Sequence, residues 1–250
     1  MFVAVTSRCF REKTFAEACQ RVVDLEFDKI EIWMDHHSDH LDPEFVAAEP
    51  EKFYSNFHEI TRLTPIAFYL EHDVSPGVLK GLLQAAKLLK ITQMTLPASP
   101  VGTPFNTEID RLRAFVSLSS QEGVRISLKT SSGVMTEDPD TAVELCKAVP
   151  GLGLTLDPSY YICGRNGSVS YERVFPYVFN THLRDSKPGE LQMPVGLGQI
   201  DYGRLIAQLG KENYQSALSV DLLLPDSEEG TEDSRFLEMR KLRMLLISLL

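Results

Sequence analysis

The sequence predicts a (β/α)8 barrel, an α/β fold, on three observations. Short apolar, β-branched runs alternate with amphipathic stretches about eight times, at a spacing of roughly 30 residues. That alternation implies a parallel sheet whose strands are covered on both faces. The length, 250 residues, is that of eight such units. No Gly-x-Gly-x-x-Gly follows the first strand, which runs into Ser7-Arg8-Cys9-Phe10 instead. The alternative, a doubly wound open sheet, therefore lacks its usual phosphate-binding turn. No linker, low-complexity tract or composition break divides the chain, so residues 1–250 are read as one domain.

The elements follow in order. The first strand is Phe2–Thr6, and Thr14 with Glu17 forms a capping box for a helix to about Leu25. The second strand, Lys29–Met34, opens into a His-rich loop, Asp35–Asp42, before a helix near Pro50–Arg62. The third is Pro65–Leu70, ending in Glu71-His72-Asp73, with Ser75-Pro76 starting a helix. The fourth is Ile91–Leu96, with a Pro-rich loop and a helix opened near Asn106. The fifth is Val124–Lys129, and Asp138-Pro139 opens the helix after it. The sixth is Leu152–Asp157. The seventh, Val178–Leu183, delivers His182 into a long loop containing Gly189, Gly196 and Gly198, and a helix begins at Asp201-Tyr202. The eighth is Gln215–Leu222. An acidic loop, Asp226–Asp233, precedes a last helix, Ser234–Leu250, whose apolar residues predict one face on the barrel wall and another available for self-association.

Composition excludes several classes. The hydrophobic fraction of 43% and charged fraction of 24% are those of a soluble globular protein. No apolar run reaches the length of a membrane span, and Met1–Val5 is too short and lacks the basic residues of a signal peptide. Four scattered cysteines with no Cys-x-x-Cys pair predict reduced thiols in a cytoplasm. A net charge of −10 argues against nucleic acid as the partner.

In a barrel of this kind the site is built at the carboxyl ends of the strands. The residues delivered there are Thr6 and Arg8; Trp33, Asp35, His36 and His37; Glu71, His72 and Asp73; Pro97 and Ser99; Lys129; Asp157; His182 and Asp185; and Asp221. Asp157, His182 and Asp221 each end an apolar run, so each is expected to be partly buried and to need a partner. Arg8 and Arg184 are of the type that binds a phosphate or carboxylate, or else are surface arginines. Trp33 is placed either to stack on a sugar or to pack in the wall. His36, His37 and His40 with Asp35, Asp39 and Asp42 read either as a metal cluster or as a solvated loop.

The chain resembles the xylose-isomerase-like barrel superfamily of sugar and sugar-phosphate isomerases and epimerases, which also includes apurinic-site endonucleases. The resemblance rests most on His182-Leu183-Arg184-Asp185 followed by Pro194-Val195-Gly196-Leu197-Gly198-Gln199-Ile200-Asp201, with support from Leu156-Asp157 and Ile30-Glu31-Ile32-Trp33. It implies a divalent metal (manganese, magnesium, cobalt or zinc) held by acids on the fifth, sixth and eighth strands and a histidine on the seventh. Those positions carry Lys129, Asp157, Asp221 and His182, so Asp157, His182 and Asp221 are the implied ligands. Lys129 reverses the charge of the glutamate expected there, Asp221 is a shortened acid, and Tyr160 stands where a histidine is usual after the sixth strand. An ammonium about 4 Å from a divalent ion would be repelled by about 8 kcal/mol at an effective dielectric near 20. Lys129 is therefore expected to occupy the metal position, unless the strand register turns it outward and Thr130 or Ser131 inward.

The leading expectation is an isomerase or epimerase acting by proton transfer next to a carbonyl, with Lys129, Asp157, Asp221 and Glu71 as the catalytic groups. Arg8, Trp33, His72 and Arg184 are the substrate-binding candidates, and the partner is a small carbohydrate or sugar phosphate. Two alternatives remain: a metal-free or non-catalytic carbohydrate-binding barrel, and a lysine-dependent lyase. An endonuclease reading expects more histidine ligands and a basic face. The binding barrel differs from the enzyme in having its strand-end acids sealed in ion pairs.

Overall fold

A computed structural model describes residues 1–164, 169–223 and 232–250. Most of the acidic loop lies outside the described residues, although Glu232 and Asp233 open the last helix.

The barrel strands are β1 (Phe2–Thr6), β2 (Lys29–Met34), β3 (Thr64–Leu70), β4 (Gln93–Leu96), β5 (Arg125–Lys129), β6 (Leu152–Leu156) and β7 (Val178–Leu183). A short hairpin follows, β8 (Asp185–Lys187) with β9 (Glu190–Met193), and β10 (Ala217–Val220) completes the barrel. The barrel closes in the order β1-β10-β7-β6-β5-β4-β3-β2, every pairing parallel. The expected (β/α)8 barrel is present, and the open sheet is excluded.

The connecting helices are α1 (Phe15–Asp24), α2 (Pro43–Ala48), α3 (Pro50–Ile60), α4 (Pro76–Leu88), α5 (Phe105–Gln121), α6 (Pro139–Ala148), α7 (Pro158–Cys163), α8 (Tyr202–Lys211) and α9 (Glu232–Ser248). Their starts are written in the sequence. Thr14 and Glu17 make both halves of the capping box of α1. Proline sits in the first turn of α2, α3, α4, α6 and α7, where its missing N–H costs nothing.

The barrel strands are buried toward their carboxyl ends, yet polar residues recur at every second position: Glu31, Gln93 and Thr95, Ser127 and Lys129, Thr155, Asn180 and His182, Ser219. Hydrogen bonds between strands that are not neighbours place these side chains on the axis. Thr95 Oγ1 meets Thr155 Oγ1 at 2.8 Å, and Asn180 Nδ2 donates to Glu31 Oε1 at 3.0 Å. The alternate residues, such as Ile30, Ile32, Ile126, Leu128, Leu218 and Val220, belong to the hydrophobic core. The axis is thus packed with hydrogen-bonded polar side chains up to the carboxyl end.

In α9, Met239, Leu242 and Leu246 are buried, whereas Leu237, Met244 and Ile247 are exposed. No helix among the described residues is long and apolar enough to cross a membrane.

Candidate functional site

The carboxyl ends of β5, β6, β7 and β10 converge as the strand reading expected. Lys129 points inward and Nζ lies 2.6 Å from His182 Nδ1, 2.9 Å from Asp221 Oδ2 and 3.6 Å from Asp157 Oδ2. The outward register is thereby excluded. Thr130 instead braces the backbone, its Oγ1 accepting from Asp157 N at 2.8 Å. An ammonium has only hydrogens to give, so His182 Nδ1 accepts. The ring proton then sits on Nε2, 3.0 Å from Glu31 Oε2.

Arg184 is fully buried beside this group and Nη2 donates to Asp157 Oδ2 at 2.8 Å and to Asp221 Oδ2 at 2.6 Å. Arg8, presented by a 3-10 turn at Ser7–Phe10, donates Nε to Glu71 Oε2 at 3.0 Å and Nη1 to Asp221 Oδ2 at 3.4 Å. Three cations therefore converge on one oxygen of Asp221. Burial pushes the Asp221 carboxyl up, but Lys129, Arg184 and Arg8 outweigh it and hold the group well below the usual carboxylate range. Burial likewise opposes the charged form of Glu71, and Arg8 and the Trp33 indole N–H reverse the balance, leaving its pKa lowered. Burial alone would lower the Arg184 guanidinium, but Asp157 and Asp221 raise it.

Above the cluster lies a cavity of about 180 Å³, lined among others by Arg8, Tyr69, Glu71, Lys129, Ser131 and Tyr160. The Tyr69 ring lies 4.9 Å from both the His182 ring and Lys129 Nζ. Burial drives the Tyr69 phenol well above its usual pKa, against the charge of Arg8.

The donor set that the family resemblance implies for a divalent ion does not fit one here. His182 Nδ1 faces an ammonium, and Asp157 Oδ2 and Asp221 Oδ2 are hydrogen-bonded to a guanidinium. A cation among these donors would stand against two fixed positive charges. Among the described residues no group of three or more His, Cys, Asp or Glu is arranged to hold a metal.

Several expected residues take other roles. Trp33 is buried, at 2% exposure, and donates Nε1 to Glu71 Oε2 at 2.7 Å. It holds Glu71 and presents no stacking face to a sugar. His72 lies on the rim, exposed, with Nε2 3.4 Å from Asp35 Oδ1. It does not line the cavity. Its ring groups with His36 and His37, the three centroids 3.9 to 5.1 Å apart. His40 does not join them: it is buried, between Lys13 O at 2.8 Å and Ser7 Oγ at 2.9 Å. Asp42 caps α2. The six-residue cluster is therefore not formed.

Asp185 also proves to be scaffolding. Its Oδ2 accepts from Gly196 N at 2.8 Å and Gly198 N at 3.0 Å, and Oδ1 from Ser186 N at 3.0 Å. The Pro-x-Gly-x-Gly stretch is a loop stapled to β8. A Cβ on Gly198 would lie 2.1 Å from Asp185 Oδ1, which explains the glycine.

Glu31, Tyr69 and Tyr160 were not among the expected site residues. A glutamate inside the apolar run Ile30-Glu31-Ile32 is the signal for the first, because a buried carboxylate requires partners. Tyr69 precedes Glu71 by two residues and so shares its face, the same signal that marks an inward position in any strand.

A search of curated proteins gave no match. Among solved structures the chain is similar to a xylose isomerase domain protein from Alicyclobacillus acidocaldarius, at 15% identity and TM-score 0.75, covering 100% of this chain and 99% of that one. It is similar to a D-allulose 3-epimerase from Methylomonas sp., at 14% identity and TM-score 0.74, covering 100% and 98%. A third likeness is to a xylose isomerase-like barrel protein from Mycobacterium smegmatis in complex with magnesium, at 17% identity and TM-score 0.72, covering 98% and 97%. At these identities the likeness is one of fold. Residues 19–238 match the family of xylose isomerase-like TIM barrels, and the chain belongs to that family.

Proposed function

We propose that this protein is a metal-independent barrel that binds a small carbohydrate-type ligand at the carboxyl ends of its strands. The observation that carries the reading is Lys129 Nζ, seated 2.6 Å from His182 Nδ1 and 2.9 Å from Asp221 Oδ2. Its fixed charge takes the place of a divalent ion. Proton transfer next to a carbonyl needs a base free to accept a proton, and the candidates for it are Asp157, Asp221 and Glu71. Asp157 and Asp221 are instead tied to Arg184, and Asp221 and Glu71 are held more acidic than ordinary carboxylates. Such groups are weak bases. The lyase alternative needs an amine free to attack a carbonyl, whereas Lys129 Nζ is held by His182 Nδ1 at 2.6 Å and Asp221 Oδ2 at 2.9 Å. The sugar-epimerase neighbour supports the choice of ligand class.

Glu71 and Lys129 line one cavity, which keeps the isomerase reading as the second. Incubation with small aldoses and ketoses in deuterium oxide, with and without manganese, separates them by NMR. The binding reading predicts ligand-induced shifts with no deuterium incorporated next to the carbonyl. Manganese-dependent incorporation at enzymatic rates would replace it with the isomerase reading.

A further inference from the structure

Resting on the reading that this cavity takes a ligand, we propose that the ligand is a small carboxylic acid of the sugar-acid or 2-hydroxy-acid type. Its carboxylate is received by Arg8, Lys129 and the Tyr69 hydroxyl. The inference comes from an accounting of donors and acceptors. Among the acceptors, Asp221 Oδ2 is approached by Arg184 at 2.6 Å, Lys129 at 2.9 Å and Arg8 at 3.4 Å. Both oxygens of Glu71 receive Arg8, and one also receives Trp33. Asp157 Oδ2 receives Arg184 and Oδ1 receives Ser159 N at 3.2 Å.

The donors are in surplus. A guanidinium carries five N–H groups, and Arg8 directs three of them at Glu71 and Asp221. An ammonium has three hydrogens, and beyond His182 and Asp221 the third of Lys129 finds only Asp157 at 3.6 Å. Tyr69 Oη has no hydrogen-bonding partner among the described residues. Arg184 Nε and Nη1 are buried without hydrogen-bond partners among the described residues, and the guanidinium carbon lies 5.7 Å from the centre of the Tyr160 ring. One acceptor, Asp221 Oδ1, is similarly left over.

Among the described residues the charged groups lining the cavity are Arg8, Lys129 and Glu71, and with Arg184, Asp157 and Asp221 directly in contact with them three cations face three carboxylates. A carboxylate supplies two oxygens with lone pairs in one plane, which match the spare N–H donors of Arg8 and Lys129. Glu71, part-exposed, is the acceptor for a ligand hydroxyl. The volume, about 180 Å³, lies below the roughly 300–1,000 Å³ usual for ligand clefts, so the ligand is a molecule of few carbons.

The test is calorimetric titration of the unmutated protein with D-glycerate and L-lactate, with glycerol and dihydroxyacetone as uncharged counterparts, and with inorganic phosphate. The carboxylates should bind about tenfold or more tightly than the uncharged compounds, the scale of one hydrogen bond to a charged group. Tyr69→Phe, which removes only the hydroxyl, should weaken the carboxylates about fivefold and the uncharged compounds less. Uncharged compounds binding as tightly as the acids would overturn the inference and leave the binding reading intact. Phosphate binding more tightly than the acids would overturn it too. Binding by none of the compounds would overturn both.

Discussion

Removing the ammonium of Lys129 should destabilise the protein, because it leaves Asp221 buried with less compensation. At 2.9 Å and an effective dielectric near 20, the pair attracts by about 6 kcal/mol before desolvation is counted. Breaking a buried pair by deleting one partner costs about 3–5 kcal/mol. Arg184 and Arg8 remain on the same oxygen, so Lys129→Met should fall at the low end, about 3 kcal/mol. For a chain of this size that is a drop of about 6–12 °C in Tm. Urea unfolding followed by circular dichroism measures it. Asp221→Asn combined with Lys129→Met should cost less than the sum of the single changes, by about 1 kcal/mol or more. The pH dependence has a fixed sign. Asp221 has a folded pKa well below its ordinary 3.8, so its contribution is full above that value and is lost as pH falls below it. The gap between the unmutated protein and Lys129→Met should narrow below about pH 4. A Lys129→Met protein as stable as the original, or more so, would refute the reasoning.

Two further outcomes follow from the same geometry. Burial lowers the pKa of His40 from 6.5, against the carbonyl of Lys13, so the unfolded chain takes up the proton first. Stability should therefore fall as pH drops below about 6.5, and His40→Gln should flatten that slope in urea titrations at successive pH values. Gly198→Ala would drive a methyl group against Asp185 Oδ1 and Ser186 O, at 2.1 and 2.6 Å, and should lower stability by about 1–3 kcal/mol and speed amide exchange across residues 194–200.

Much of this molecule is legible in the sequence because local rules and global fold agree. The strand–helix period, the capping box at Thr14 and the prolines opening α4 and α6 each mark an element that forms where expected. Helix α2 was not expected, since six residues opened by Asp42-Pro43 carry too little periodicity to separate from the His-rich loop. The hairpin of β8 and β9 was hidden for a similar reason. Its strands are three and four residues long, and what fixes them is the contact of Asp185 with backbone eleven and thirteen residues later.

At the site, sequence position alone brings Lys129, Asp157, His182 and Asp221 to one level, because inward residues at strand ends must meet on the axis. Which atoms pair is set by distances across the barrel. Arg184 looked like a candidate for a ligand anion, and it is the internal counter-ion of Asp157 and Asp221. Trp33 looked like a stacking surface, and its depth makes it a donor to Glu71. The period-two placement of Glu31, Thr95, Ser127, Thr155 and Asn180 was present in the strands, but an apolar-run reading averages over it.

On the function proposed above, the Lys129 ammonium occupies the position a divalent ion would take. Elemental analysis of the purified protein and calorimetric titration with manganese, on the unmutated chain and on Lys129→Glu, test it most directly. The unmutated protein should show no stoichiometric metal and no saturable heat, and Lys129→Glu should gain manganese affinity. One tightly held divalent ion per unmutated chain, lost on changing Asp157 or His182 to Ala, would contradict it.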